Sequence, residues 1–136
     1  MKSKINVPTI PVDEAVDRVT RFRNQLVLQV PESNIPRAVF IPISDLLAII
    51  NSYNVIGADG ADINQLSGVR AYFAVKETDT DLPDDVTAVI VPVDKAGKDI
   101  IYQNNRGNGE GDDTEIYDFT KPCPAECDKT SPLYVP

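Results

Sequence analysis

Residues Val86-Thr-Ala-Val-Ile-Val-Pro-Val93 constrain the fold more than any other part of the chain. Apolar side chains occupy both faces of an extended strand here, so leaving either face in water is unfavourable. Such a strand belongs in the interior of a sheet. Pro92 cannot donate a hydrogen bond to a neighbouring strand, and we expect it near the end of this one.

The neighbouring segments supply antiparallel partners for this strand. Residues Val69–Lys76 alternate, with an apolar face formed by Val69, Ala71, Phe73 and Val75 and a polar face formed by Arg70, Tyr72 and Lys76. This alternation predicts a half-buried strand with its polar face in water. Asp94–Gly97 has the composition of a hairpin turn, after which Asp99–Tyr102 returns as a shorter strand.

Two helices are predicted before these strands. The first covers residues 12–26, where apolar side chains recur every three or four positions at Val12, Val16, Val19, Phe22 and Leu26. The second follows Pro42, with an apolar face formed by Leu46, Leu47, Ile50 and Tyr53 and with Ser44 and Asp45 near its start as capping residues. Ala38–Ile41 is a short strand, and Asp62–Leu66 is interpreted as one more helical turn.

Together these elements predict an α+β fold, in which the two N-terminal helices pack on one face of a small, mostly antiparallel sheet of three to four strands. At 136 residues the chain has the length of a single domain, 1–136. Residues 103–114 are predicted to form a polar loop, and residues 120–136 an irregular tail.

The charge of the chain is unevenly distributed. Residues 1–76 hold eight Lys and Arg against seven Asp and Glu, a net of +1, whereas residues 77–136 hold five against fourteen, a net of −9. So acidic a half repels phosphate groups, which argues against nucleic acid and anionic membranes as ligands. No run reaches the roughly 20 apolar residues that span a bilayer. No signal peptide is recognisable, so the expected compartment is the cytoplasm.

The chain contains no histidine and only two cysteines, Cys123 and Cys127. A metal site with imidazole ligands and a Ser/His or Cys/His couple are therefore excluded. The cysteine pair leaves three alternatives: structural thiols, a local disulfide, or metal and redox chemistry. Because zinc takes four ligands, the remaining ones would have to come from carboxylates such as Glu126 and Asp128, or from a second subunit.

Two acidic segments partly match calcium-binding patterns. Glu77, Asp79 and Asp81 alternate like the first positions of a calcium loop, but the glycine expected at the sixth position is replaced by Leu82. Residues 108–113 nearly fit one copy of a calcium-binding nonapeptide, a motif that works in tandem repeats. We therefore interpret both segments as solvated loops, and we predict no metal and no cofactor.

Three blocks in this order resemble an uncharacterised family of short proteins common in Bacteroidota. The blocks are Phe40–Leu47, Gly68–Ala74 leading to Val89–Pro92, and the Cys-Pro-Ala-Glu-Cys motif at 123–127. The family motifs are a G-[IV]-R-x-Y-F strand and a terminal C-P-P-x-C-like sequence, and the match covers about residues 36–128. This chain departs from them at Ala125, where a second proline is usual, and in having three residues between its cysteines. The resemblance implies a bacterial protein of this architecture and no specific activity.

The leading functional hypothesis is a non-catalytic binding protein, of accessory or immunity type, whose acidic C-terminal half contacts a basic protein partner. The alternative is a thiol-dependent redox or metal-binding protein that uses Cys123 and Cys127. A third hypothesis is a small enzyme that relies on Asp and Glu carboxylates together with Arg70. We predict no catalytic residue from the sequence, and the oligomeric state is left open.

Overall fold

The computed structural model describes residues 6–30, 35–76, 85–102, 114–123 and 127–136. Within these ranges the chain forms α-helices and β-strands, as the α+β prediction requires. In chain order they are α1 (Val12–Leu26), β1 (Ala38–Phe40), α2 (Ile43–Asn51), β2 (Asn54–Ile56), β3 (Asp62–Asn64), β4 (Leu66–Lys76), β5 (Asp85–Asp94) and β6 (Lys121–Cys123). The predicted loop at 103–114 lies outside the described residues except for Thr114.

The strands of the described ranges pair in three antiparallel two-stranded sheets: β1 with β6, β2 with β3 and β4 with β5. The third strand predicted at Asp99–Tyr102 is reduced to a bridge between Asp99 and Val93 and a hydrogen bond of 2.9 Å from Ile100 N to Pro92 O. Tyr117 forms a second bridge to β5, at Ile90. Isolated contacts with β5 therefore replace the third strand that the sequence predicted.

β5 is buried on both faces, as its composition predicts, but among the described residues its second edge has only isolated bridges in place of the neighbouring strand that an interior position requires. Ala88, Ile90 and Val91 are at most 1% exposed, so both faces of the strand are buried. Burying side chains the size of Ile90 and Val91 contributes about 1.5–3 kcal/mol each. The other buried hydrophobic residues of the described chain are Ile35, Ile49, Leu66, Val93, Cys123 and Val135.

β4 differs from its prediction. Phe73 is 83% exposed and Val75 55% exposed, so the apolar face that was expected to be buried lies in water. Arg70 and Tyr72, on the other face, are exposed as well. The prediction of a half-buried strand is wrong because the elements that cover β5 do not extend over β4.

Both helices begin after a proline. The N-cap positions are Pro11 for α1 and Pro42 for α2, and neither helix has a side-chain cap, so the capping role predicted for Ser44 and Asp45 is wrong. Arg23 is the buried residue of α1 and Ile49 that of α2. That both helices pack on one face of a single sheet stays a prediction. No helix among the described residues is long and apolar enough to cross a membrane.

Two short strands lie where the sequence predicted other structure. β3 covers most of the segment predicted as a helical turn, and it pairs with β2 in a hairpin. Gly60 has φ +82°, a left-handed conformation that suits glycine and turns the chain between the two strands. β6 lies within the predicted irregular tail and pairs with β1, Cys123 opposite Ala38.

Candidate functional site

Cys123 and Cys127, the metal candidates of the sequence, are joined by a disulfide. Cys123 ends β6 and is buried, whereas Cys127 is half-buried. Glu126, a suggested further ligand, lies outside the described residues. Within the described part of the chain, no three Cys, Asp or Glu side chains converge in a group able to hold a metal ion.

The disulfide borders a cavity of about 250 Å³ between α1, β1 and the chain end. We call it the tail cavity. Its lining residues are Val19, Arg37, Ala38, Cys123, Cys127, Asp128, Ser131, Leu133 and Tyr134. The guanidinium of Arg37 lies over the ring of Tyr134, 3.9 Å from its centroid, and its Nη1 donates to the carbonyl of Val135. The tail cavity thus combines a cation, an aromatic ring and a disulfide.

Asp128 contributes a carboxylate to the lining of the tail cavity. Its Oδ1 accepts hydrogen bonds from the Thr130 hydroxyl at 2.6 Å and the Thr130 backbone N–H at 3.0 Å. These two donors stabilise the carboxylate, and they hold the pKa of Asp128 below its ordinary value. Asp128 therefore keeps its negative charge over the whole neutral range.

Arg70 and Tyr72, two residues of the predicted polar face of β4, are both bound to Asp99. Arg70 Nη1 forms an ion pair with Oδ1 of Asp99, and the Tyr72 hydroxyl donates to Oδ2. Asp99 follows the turn that Gly97 closes at φ +81°, and its bridge to Val93 places it across β5 from β4. We call these three residues the Asp99 cluster.

The Asp99 carboxylate sets the protonation of both partners. Its hydrogen bond with Arg70 raises the pKa of the guanidinium, so Arg70 stays charged. Its hydrogen bond from Tyr72 raises the pKa of the phenol, because ionisation would remove the bonded proton and place two anions side by side. Tyr72 is therefore a weaker acid than free tyrosine, which is opposite to what a catalytic phenolate needs. Of the predicted polar face, the side chain of Lys76 lies outside the described residues.

Glu115 is a second carboxylate that is bound by tyrosine, and two hydroxyl groups donate to it. Its Oε2 accepts from the hydroxyl of Tyr53 at 3.0 Å and from the hydroxyl of Tyr117. Tyr53 follows the end of α2 and Tyr117 forms a bridge to β5, so Glu115 connects the helix to the sheet. Glu115 has φ +66°, which is uncommon for a residue with a side chain. This arrangement stabilises the contact between the two elements.

An apolar cavity of about 320 Å³ lies between α2 and residues 117–119. We call it the α2 cavity. Its lining residues are Asp45, Ala48, Ile49, Ser52, Tyr117, Asp118 and Phe119. Asp45 and Asp118 are exposed at this cavity, and neither forms an ion pair with another described residue. The cavity therefore offers an apolar space with two carboxylates and no basic lining residue.

The structure brings together only some of the residues that the sequence singled out. The sequence pointed to Cys123, Cys127 and Arg70, and it carried no signal for Asp99, since one acid after a turn resembles any other. The acidic positions at 77–84 and 108–113 lie outside the described residues. Comparisons with protein-family models, curated proteins and solved structures found no match for this chain.

Proposed function

We propose that this chain is a non-catalytic binding protein for a basic protein partner, and that the α2 cavity receives a basic side chain of that partner. The observation that carries the proposal is the pairing of apolar lining with Asp45 and Asp118 in one cavity. Lysine and arginine have an apolar stem and a charged end. The stem fits the space beside Ile49 and Phe119, and the charged end fits the carboxylates.

The charges of the cavity favour a cation. Its lining includes Asp45 and Asp118 and no Lys or Arg, so no residue of the lining neutralises the two acids. Both carboxylates are exposed, and exposed ion pairs contribute about 1 kcal/mol or less each. The two acids therefore give selectivity for a basic group, and the apolar contacts with the stem add to the affinity.

The distribution of charge along the chain supports the same partner. Residues 77–136 carry a net charge of −9, which attracts a basic protein over distances of about one Debye length. Attraction of this kind raises the association rate and weakens as salt is added. A basic partner is thus expected to bind quickly at low ionic strength and more weakly at high ionic strength.

A short fluorescent oligolysine peptide tests the proposal by anisotropy. We expect salt-sensitive binding that weakens about tenfold in Asp45→Asn/Asp118→Asn, because two exposed ion pairs of up to about 1 kcal/mol each are lost. The matched control is Asp17→Asn/Asp62→Asn, which removes the same charge outside the cavity. Equal weakening in both double variants would show attraction by net charge alone and would overturn the assignment to the α2 cavity. No binding at low salt would overturn the basic partner itself.

A thiol-dependent function is the second proposal, and the position of the disulfide supports it. Cys123 and Cys127 both line the tail cavity, and Cys127 is half-buried, so a small dithiol has a path to the bond. Mass spectrometry after timed reduction and alkylation tests this. Reduction much faster than global unfolding would support a reactive disulfide, and reduction only at the rate of unfolding would exclude one.

The compartment and the family are proposals too. Disulfides are rare in the cytoplasm and common in oxidising compartments, so the Cys123–Cys127 bond favours an oxidising compartment over the cytoplasmic one that the sequence predicted. Alkylating the thiols directly in intact cells would decide between the two. The resemblance to the uncharacterised Bacteroidota family is supported by the α+β class alone.

A further inference from the structure

β4 carries an exposed apolar stripe along one face. Phe73 is 83% exposed, Val75 55% and Val69 38%, and they share this face because alternate residues of a strand point the same way. The register with β5 runs from Leu66 opposite Asp94 to Lys76 opposite Asp85, along the whole of β4. No other strand of the described chain pairs with β4. A long apolar strand with an available edge is suited to pairing with another strand.

We propose that this edge pairs with the same edge of a second copy of the chain, giving an antiparallel sheet in the order β5-β4-β4-β5. The sequence of β4 is complementary to itself in this arrangement. When the two-fold axis passes through Tyr72, every described side chain from Val69 to Val75 finds a suitable opposite. The opposite pairs are Val69 with Val75, Arg70 with Ala74, Ala71 with Phe73, and Tyr72 with its own copy.

Each of these pairs matches in size or charge. The large ring of Phe73 faces the small Ala71, and two β-branched valines face each other. The two copies of Tyr72 flank the axis, each turned towards Asp99 of its own chain. Cross-strand pairs of the aromatic and β-branched kinds contribute roughly 0.2–1 kcal/mol each. Arg70 faces an uncharged residue, and its own charge is already balanced by Asp99.

Other registers are poorer. The two apolar stripes join into one surface only when residues of the same face stand opposite each other. The two-fold axis must then lie between the two copies of one residue. An axis at Arg70 would place two guanidinium groups opposite each other. An axis at Phe73 would place Val69 opposite position 77, beyond the end of β4. An axis at Ala71 leaves Val75 opposite Ser67. The axis at Tyr72 is therefore preferred.

This dimer would also join two Asp99 clusters. Each Tyr72 hydroxyl donates to Asp99 of its own chain, which lies across β5, so the two phenols turn away from the axis and both clusters are kept in the dimer. A contact formed by one pair of strands is small, and interfaces below about 1,000 Å² are weak. We expect a dimer with a dissociation constant on the order of micromolar, which separates into monomers on dilution. Since Asp45 and Asp118 do not lie on β4, it is independent of the basic-partner proposal.

Sedimentation velocity over a concentration series tests the dimer. Phe73→Lys should weaken the association by about tenfold or more. It removes the most exposed apolar side chain of the stripe, and it adds one charge from each copy at the interface. The side chain is in water in the monomer, so the fold should be unchanged, and circular dichroism checks this. Phe22→Lys on α1, where the ring is 50% exposed, is the matched control and should dimerise like the wild type. A wild type that stays monomeric, or equal weakening by both variants, would overturn the proposal.

Cysteine cross-linking tests the register. Directly opposite residues of antiparallel strands have Cα atoms about 4.5–5.5 Å apart, within the range that a disulfide bridges. Tyr72→Cys should therefore form a covalent dimer under mild oxidation about tenfold faster than Ala71→Cys. Peptide mapping must find the bond between the two introduced cysteines, with Cys123–Cys127 intact. Faster cross-linking of Ala71→Cys than of Tyr72→Cys would overturn the register. A ladder of higher oligomers would overturn the closed dimer.

Discussion

The guanidinium carbon of Arg37 lies 3.9 Å from the centroid of the Tyr134 ring. The same side chain donates to the carbonyl of Val135, and the backbone N–H of Arg37 donates to the carbonyl of Cys123 at 3.2 Å. Val135 is 6% exposed, so the chain end is packed on the protein. Arg37, which immediately precedes β1, thus contacts the C-terminal segment both at Cys123 and at its end, Tyr134 and Val135.

Arg37→Lys should lower the free energy of unfolding by about 1–2 kcal/mol. Lysine keeps the positive charge, but it lacks the planar group that stacks on Tyr134 and donates at the same time. Urea denaturation measures the change. Arg18→Lys is the control, because Arg18 forms an exposed ion pair with Glu14 at 2.8 Å, and replacing it should change stability by less than about 0.5 kcal/mol. Equal effects of the two substitutions would contradict the role assigned to Arg37.

Reducing the disulfide should destabilise the protein only modestly. Cys123 and Cys127 are four positions apart, and closing so short a loop contributes about 2 kcal/mol in the chain-entropy model. Denaturation with and without a reductant should show this difference in the wild type. The Cys123→Ala/Cys127→Ala variant should be insensitive to the reductant. If the reductant leaves the stability of the wild type unchanged, the disulfide makes no net contribution to it.

Tyr72 should ionise at a higher pH than free tyrosine. Its phenol pKa is raised above the ordinary value of 10.0 because the hydroxyl donates to Asp99. The neutral phenol is the bonded form, so its stabilising contact is fully present below pH 10 and is lost as the pH rises through the raised pKa. Ultraviolet titration of phenolate, comparing the wild type with Tyr72→Phe, isolates this group. In Asp99→Asn the titration of Tyr72 should shift to lower pH, and no shift would contradict the assigned cause.

Thr120→Val should lower the free energy of unfolding by about 1–3 kcal/mol. The Thr120 hydroxyl donates to the Ala88 carbonyl at 2.7 Å, so it accepts from the Thr87 hydroxyl, 3.2 Å away. Both side chains are buried, and valine at 120 leaves the Thr87 hydroxyl without this partner. Thr87→Val alone should cost less, because Thr120 keeps its bond to Ala88. The double variant should be more stable than the sum of the single changes predicts, and strict additivity in denaturation would contradict the proposed pair.

The predictions that succeeded concern segments whose sequence pattern is strong and local. The apolar spacing over 12–26 corresponds to α1, and the continuous apolar run around Ile90 corresponds to the buried strand β5. Both depend on the period of side chains along a single element, and that period is visible in the sequence. The hairpin of β2 and β3 was missed because its two strands have three residues each. So short a segment has no recognisable period.

The candidate sites depend on contacts between distant parts of the chain. Asp99 reaches Arg70 across β5, and Glu115 binds Tyr53 from 62 positions away. Nothing near either acid in the sequence distinguishes it from the other acids of the chain. The two carboxylates of the α2 cavity, Asp45 and Asp118, are likewise brought to one cavity by packing alone.

The sequence by itself determined the α+β class, the burial of β5 on both faces and the absence of imidazole chemistry, because composition and side-chain period act locally. It also contains the self-complementary order of residues in β4, centred on Tyr72. Only the tertiary structure decided that the apolar face of β4 lies in water while β5 beside it is buried. Which of two adjacent strands is covered depends on where the remaining segments pack, and packing is a property of the whole chain.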